Sequence, residues 1–195
     1  MTKRVATFFL FFLIIFFSIT NIIFAQNEDL SPSPTAEIKK QATPSAIIKY
    51  NLAFPGILPD NPLYKLKVLR DKISLGLISD PTKKIEFLLL QTDKGILATA
   101  MLVDQNKITL AKETALKAEN NYTLLTYEVK NSREKLTTEL YKKLKKAALK
   151  HQEVLESLIK RVPKDNRKTF QTVLCFSKQN WQSVEDFQKK PNIIK

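Results

Sequence analysis

A chain of 195 residues, 44 % hydrophobic with only three glycines, has the length and apolar content for one packed domain but few of the turn formers that strand-rich folds need. One cysteine and one histidine exclude an intramolecular disulfide and the paired-histidine constellations of zinc and diiron sites. A net charge of +13 makes anionic partners the electrostatic expectation.

Lys3 and Arg4 precede an apolar run from Val5 to Phe24, and Ala25 then meets the polar stretch Gln26-Asn-Glu-Asp29. Residues 1–25 therefore read as a signal peptide or as an uncleaved N-terminal membrane anchor. Ala25 is a usable cleavage site, whereas Ile23 is a poor residue two positions before it, and the run reaches about 30 Å as a helix, enough to cross a bilayer. Either reading places the remainder extracytoplasmically, secreted or tethered by residues 5–24, because the basic end stays in the cytoplasm. Residues 26–50 carry Ser31-Pro-Ser-Pro34 and Ala42-Thr-Pro-Ser45 without apolar periodicity, which predicts a semi-extended linker. This linker is neutral and Lys3 and Arg4 supply two of the thirteen charges, so the remaining +11 falls after residue 50.

The helical domain is expected over 51–190. It opens with Phe54-Pro-Gly-Ile-Leu-Pro-Asp-Asn-Pro-Leu-Tyr-Lys-Leu-Lys67, in which three prolines fix φ, Asn61 stands at an N-cap and Pro62 at the first helical position. Phe54, Ile57 and Leu58 are expected to fold back as apolar contacts. Leu63, Leu66, Leu69, Ile73 and Leu77 recur at helical spacing in a first helix. Asp80-Pro81 repeats the cap-then-proline pattern ahead of a second helix through Ile85, Leu88, Leu89, Ile96 and Val103, broken at Asp104–Lys107. A third follows with Ile108, Ala111, Ala115, Ala118, Tyr122, Leu125 and Val129. Asn131-Ser132 is expected to cap a fourth carrying Leu136, Leu140, Leu144, Ala148, Leu155, Leu158 and Val162, which Pro163 stops. Asp165-Asn166 opens a fifth with Phe170, Val173, Leu174, Trp181, Val184 and Phe187. No segment alternates with period two, so the prediction is an all-α bundle of about five helices. The third and fourth are candidates for a long antiparallel coiled-coil-like hairpin, which the small Ala111, Ala115 and Ala118 stripe would let close tightly.

The segment Pro55 to Ile73, with its PGxLPDNPLYxLK-type motif, resembles the opening of an uncharacterised family of exported bacterial all-helical domains, known as a domain of unknown function. Asp80-Pro81, the run Ile108–Glu119, Tyr122–Leu125 and Lys150–Leu155 extend the resemblance over about Tyr50 to Gln188. Many such domains carry an Arg and a Glu one turn apart in the second helix, where this chain reads Leu90-Gln-Thr-Asp-Lys-Gly-Ile-Leu97. The resemblance implies an extracytoplasmic helical domain and supplies no catalytic residue.

The candidate anion-contacting residues are Lys135, Lys142, Lys143, Lys146 and Lys150, which fall within about a quarter-turn on the fourth helix. They suit an anionic polymer, extracellular DNA or an acidic wall polymer. Glu139, Glu153 and Glu156 share that face and no aromatic side chain interleaves, which also describes an ordinary solvated surface. His151 sits in the apolar arc and is expected to be a core histidine with one hydrogen-bond partner. Cys175 has apolar sequence neighbours and is expected to be a buried, inert thiol. Trp181, with Phe170 and Phe187, reads as a core anchor. The Asn121-Tyr-Thr123 sequon lies within a helix and reads as accidental. No catalytic residue, cofactor or metal is assigned. The functional expectation is an exported non-enzymatic module for protein interaction or scaffolding at the cell envelope, with an unknown protein or envelope partner. It meets membrane only through an uncleaved N-terminal segment. The alternative is an anionic-polymer binder. Oligomeric state is left open.

Overall fold

The structure is a computed structural model that describes residues 48–132 and 134–190. The N-terminal apolar run and nearly all of the predicted linker lie outside the described residues. Five α-helices follow in order: α1 Tyr64–Leu77, α2 Pro81–Asp104, α3 Ile108–Asn131, α4 Thr138–Arg161 and α5 Arg167–Lys189, with a 3-10 turn Lys164–Asn166 before α5. No strand occurs among the described residues, so the fold is the all-α bundle expected. No described helix is long and apolar enough to cross a membrane.

Local chemistry sets the helix boundaries. Asp80 Oδ1 accepts from the backbone N–H groups of Thr82 (2.8 Å) and Lys83 (3.2 Å), with Pro81 at the first helical position of α2. The same helix closes with Asn106 at a left-handed φ of 59°, while Lys107 N donates to Leu102 O (2.8 Å) and Asn106 N to Val103 O (2.9 Å). These two bonds satisfy carbonyls that the helix end would otherwise leave unpaired, and Asn tolerates the conformation well. Before Pro163 the chain turns extended at Val162, and α4 stops.

Three boundary expectations are corrected. Asn131 is the last residue of α3 rather than a cap of α4. The α4 cap is Thr137, whose hydroxyl accepts from Leu140 N (3.2 Å), and Ser132 instead binds Glu134 within the connecting loop. Asn61 does cap a turn, its Oδ1 accepting from Leu63 N (2.9 Å), but continuous α-helix begins only at Tyr64. The lead-in is not anchored by Phe54 and Ile57, which are exposed. Pro55 is buried, Lys67 Nζ donates to its carbonyl (2.7 Å), and Tyr50 and Leu52 pack on the core.

Helices α2 to α5 form a four-helix bundle whose directions are read from cross-helix pairs. α3 runs antiparallel to α2, with Lys84–Glu128 (2.6 Å) near one end and Gly95 against Ala118 in the middle. α4 runs parallel to α2 through Glu86–Lys143 (3.9 Å), Asp93–His151 (2.6 Å) and Asp104–Arg161. α5 is antiparallel to α4 through Glu156–Lys178 (3.1 Å) and parallel to α3 through Glu119–Asn180 (2.7 Å). The neighbour order around the bundle is thus α2, α3, α5, α4, and α3 and α4 lie on a diagonal.

The tight hairpin is therefore α2–α3, not α3–α4. The reason is steric. The Ala111, Ala115 and Ala118 stripe faces α2, where Gly95 has no side chain, and a Cβ at residue 95 would stand 2.6 Å from Ala118 Cβ. Close helix approach requires small residues on both partners, and four of the seven buried residues of α4 are leucines.

Two apolar clusters fill the bundle. One gathers Leu88, Leu89, Tyr122, Leu125, Leu144 and Trp181; the other gathers Ile96, Leu102, Ala115, Leu155, Leu158 and Phe170. Buried Thr92, Thr99, Thr114 and Thr126 each return a hydroxyl to the carbonyl four residues earlier, so they carry no unpaired donor.

The Gly95 contact gives a direct test. Gly95→Ala adds about 1 kcal/mol of helix propensity but forces an overpacking cost of about 1–3 kcal/mol. Chemical denaturation is expected to show net destabilisation, a larger loss for Gly95→Val, and recovery when Ala118→Gly is added to Gly95→Ala.

Candidate functional site

Helix α1 does not join the bundle as its sequence suggested. Leu63, Leu66, Leu69, Ile73 and Leu77 are between 50 % and 77 % exposed, and α1 has no buried residue. The face turned to the bundle carries Tyr64, Lys67, Val68, Asp71 and Leu75 instead. Five apolar side chains at helical spacing require an apolar neighbour somewhere, and periodicity alone does not say whether the bundle supplies it.

Because α1 stands off the bundle, a cleft of about 590 Å³ runs between it and the α2–α3 hairpin. Its floor is apolar, with Leu88, Gly95, Ala98 and Ala118, where the two helices come closest. Val68 and Leu75 form one wall and Leu116 part of the other. The rim carries Lys67, Lys72, Lys94 and Lys117 together with Asp71 and Glu113. Burial pushes the Lys67 ammonium below its ordinary range and, with the Asp71 carboxylate nearby, pushes the Tyr64 phenol above its own. An apolar floor with a mixed polar rim accepts an amphipathic segment rather than a compact polar metabolite.

Between the two apolar clusters lies a polar layer, with one residue from each bundle helix: Asp93 (α2), Glu119 (α3), His151 (α4) and Ser177 (α5), all buried. Asp93 Oδ1 accepts from His151 Nε2 at 2.6 Å, and Asp93 Oδ2 accepts from the Tyr50 hydroxyl at 2.6 Å. His151 is the buried histidine expected, and its single partner is Asp93. The Tyr122 ring meets its edge at 5.9 Å between centroids. Tyr122 Oη, His151 Nδ1 and Ser177 Oγ have no partner among the described residues. Glu119 Oε1 accepts from Asn180 Nδ2 at 2.7 Å, and burial pushes its carboxyl up to about 8. No group of three or more His, Cys, Asp or Glu residues among those described is placed to hold a metal ion. The sequence signal for Asp93 is a carboxylate midway between Leu89 and Ile96 on an apolar stripe, with a histidine in the stripe of another helix.

The five lysines have different surroundings. Lys135 precedes α4, and its ammonium donates to the Phe187 carbonyl while lying 4.6 Å over the Phe187 ring. Lys143 lies 3.9 Å from Glu86, and half-buried Lys150 pairs with Glu153 at 2.8 Å. Lys142 and Lys146 are exposed without an ion pair among the described residues. The buried thiol is also corrected. Cys175 is exposed, because α5 buries Phe170, Val173, Ser177, Trp181 and Val184, and residue 175 points about half a turn away from Val173 and Ser177.

A family model matches residues 56–165, from the Gly56 turn in the lead-in to the 3-10 turn before α5. The chain belongs to the family described as a domain of unknown function (DUF5667). No curated protein and no solved structure matches this DUF5667 chain. The family span covers α1, the cleft and the Asp93–His151 pair, and it stops short of α5.

Glu119 gives the layer a pH signature. Below its ordinary value of 4.5 the carboxyl is protonated folded or unfolded. Between 4.5 and about 8 the unfolded chain ionises while the folded chain keeps its proton, so stability falls as pH rises. Above that window the slope vanishes. Thermal melts from pH 4 to 9 are expected to show this decline, and Glu119→Gln, which keeps an acceptor for Asn180, to flatten it and raise the midpoint most at the alkaline end.

Proposed function

We propose that this DUF5667 chain is an exported, non-enzymatic helical module that binds a protein partner at the cell envelope through the cleft between α1 and the α2–α3 hairpin. The single observation that carries the reading is the cleft itself, with its apolar floor at Leu88, Gly95 and Ala118 and its mixed-charge rim. An amphipathic helix or strand laid there buries apolar side chains on the floor and pairs its polar edge with Lys94, Lys117 and Glu113. The N-terminal sequence supports the location, since a basic start, an apolar run and a small residue at Ala25 are export chemistry. The only histidine and its carboxylate partner are enclosed by the bundle, away from the cleft, which favours a structural use for that pair.

Less supports the anionic-polymer alternative. Lys135 is turned onto the Phe187 carbonyl, and Lys143 and Lys150 lie beside Glu86 and Glu153, whose carboxylates offset part of the positive charge of this face.

A photo-crosslinking amino acid in place of Leu116, which lines the cleft and is 48 % exposed, tests the reading in envelope preparations. The expected result is one discrete adduct. It should be competed by unlabelled protein, lost with Leu75→Asp in the opposite wall, and absent when the same group replaces Phe176 on α5. Equal capture at both positions, or none at 116, would sink the proposal.

A further inference from the structure

Helix α1 carries two apolar faces, and only one is used by the fold. Tyr64, Val68 and Leu75 look toward the bundle. Leu66, Leu69, Ile73 and Leu77 lie within about 80° of arc on nearly the opposite side, all exposed. Lys65 and Lys72 border that arc on one edge and Arg70 on the other. The helix holds four basic residues against one carboxylate, Asp71, which turns toward the bundle side and pairs with Arg70 at 2.8 Å. A helix bathed on that side only by water would present polar residues there.

We propose that the outward face of α1 lies in the surface of an anionic lipid bilayer, parallel to the membrane, with its leucines among the acyl chains and Lys65, Arg70 and Lys72 among the headgroups. The arrangement of a flat apolar arc with basic borders matches interfacial helices, in which buried apolar area and attraction to anionic lipid act together. Charge argues against a second copy as the occupant. Two α1 helices packed by this arc would set Lys65, Arg70 and Lys72 of both copies along one seam, with Asp71 turned away. The chain outside the described residues points the same way. Its apolar run ends at Phe24, and a neutral, proline-containing linker joins it to the domain, which keeps α1 within tether reach of any membrane the run enters. The inference rests on the envelope location proposed above but not on the cleft, so the cross-link at residue 116 and the membrane contact can fail separately.

The test uses the full chain with Cys175→Ser, so that a single introduced thiol carries an environment-sensitive dye at Leu69→Cys. It is mixed with phosphatidylcholine vesicles with and without phosphatidylglycerol. The expected result is a blue shift at residue 69 with the anionic vesicles only, reversed by high salt, and no shift from the same dye at Phe176→Cys. Combined Lys65→Gln, Arg70→Gln and Lys72→Gln should abolish the shift, corresponding to about a hundredfold loss of surface affinity at roughly fivefold per basic residue. The apolar run is present in every variant, so its own insertion cannot produce these differences. No shift with anionic vesicles overturns the proposal, as does an equal shift with neutral ones. A shift without vesicles that grows with protein concentration also overturns it, in favour of a second copy.

Discussion

The contact between Gly95 and Ala118 decides how the rest of the molecule is arranged. A missing side chain on α2 and an alanine stripe on α3 let these two helices approach more closely than leucine-rich faces permit. That pairing uses up the small face of α3, so α4 cannot take it. α4 packs beside α2 instead, in parallel, and α5 closes the ring between α3 and α4. The same contact leaves a shallow outer surface where α2 and α3 meet, and this is the floor of the cleft that α1 overhangs. Fold and candidate site thus share one steric cause.

The polar layer is the second constraint, and it acts on register. Asp93 and His151 sit between the residues that their helices give to the two apolar clusters, and their partner atoms meet at 2.6 Å. A one-turn slip of α4 along α2 would bury both groups against apolar side chains, at several kcal/mol for the unpaired charge or donor. Apolar packing alone tolerates such slips more readily, because leucine replaces leucine. Tyr50 extends the pair outward and fastens the chain ahead of the lead-in to the core, while Glu119 and Asn180 fix α5 against α3 in the same layer. Parallel neighbours have no short loop to set their alignment, and the hydrogen bonds of this layer supply it.

Much of this was legible from residue order. The buried positions of α2 to α5 follow the apolar stripes from Ile85 to Val184, and Asp80-Pro81 and Val162-Pro163 mark their helix ends as their chemistry requires. What periodicity cannot supply is the identity of the neighbour. The alanine stripe announced a close partner but not which one, and that depended on a single glycine fifteen residues into α2. Cys175 looked buried because its neighbours in sequence are apolar, yet neighbours in a helix point in different directions. The partners of Lys135 and Lys143, the Phe187 carbonyl and Glu86, are distant in sequence, so spacing along the chain could not name them.

Helix α1 is the sharpest case, since its apolar stripe has the expected helical spacing but faces away from the bundle. The DUF5667 span begins at Gly56 and so includes α1 but not α5, whose Phe170, Val173, Trp181 and Val184 complete the core. A unit that folds must therefore extend past residue 165, because stopping there would strip the buried faces of α3 and α4. α1 stands in the opposite position: the span includes it, yet the core draws no buried side chain from it. The helix is held by Leu75 against the core, by Lys67 on the Pro55 carbonyl and by Asp60 of the lead-in on Lys107, which leaves its outward face open. Through the last two contacts the proline-set lead-in fixes the angle at which that face is presented.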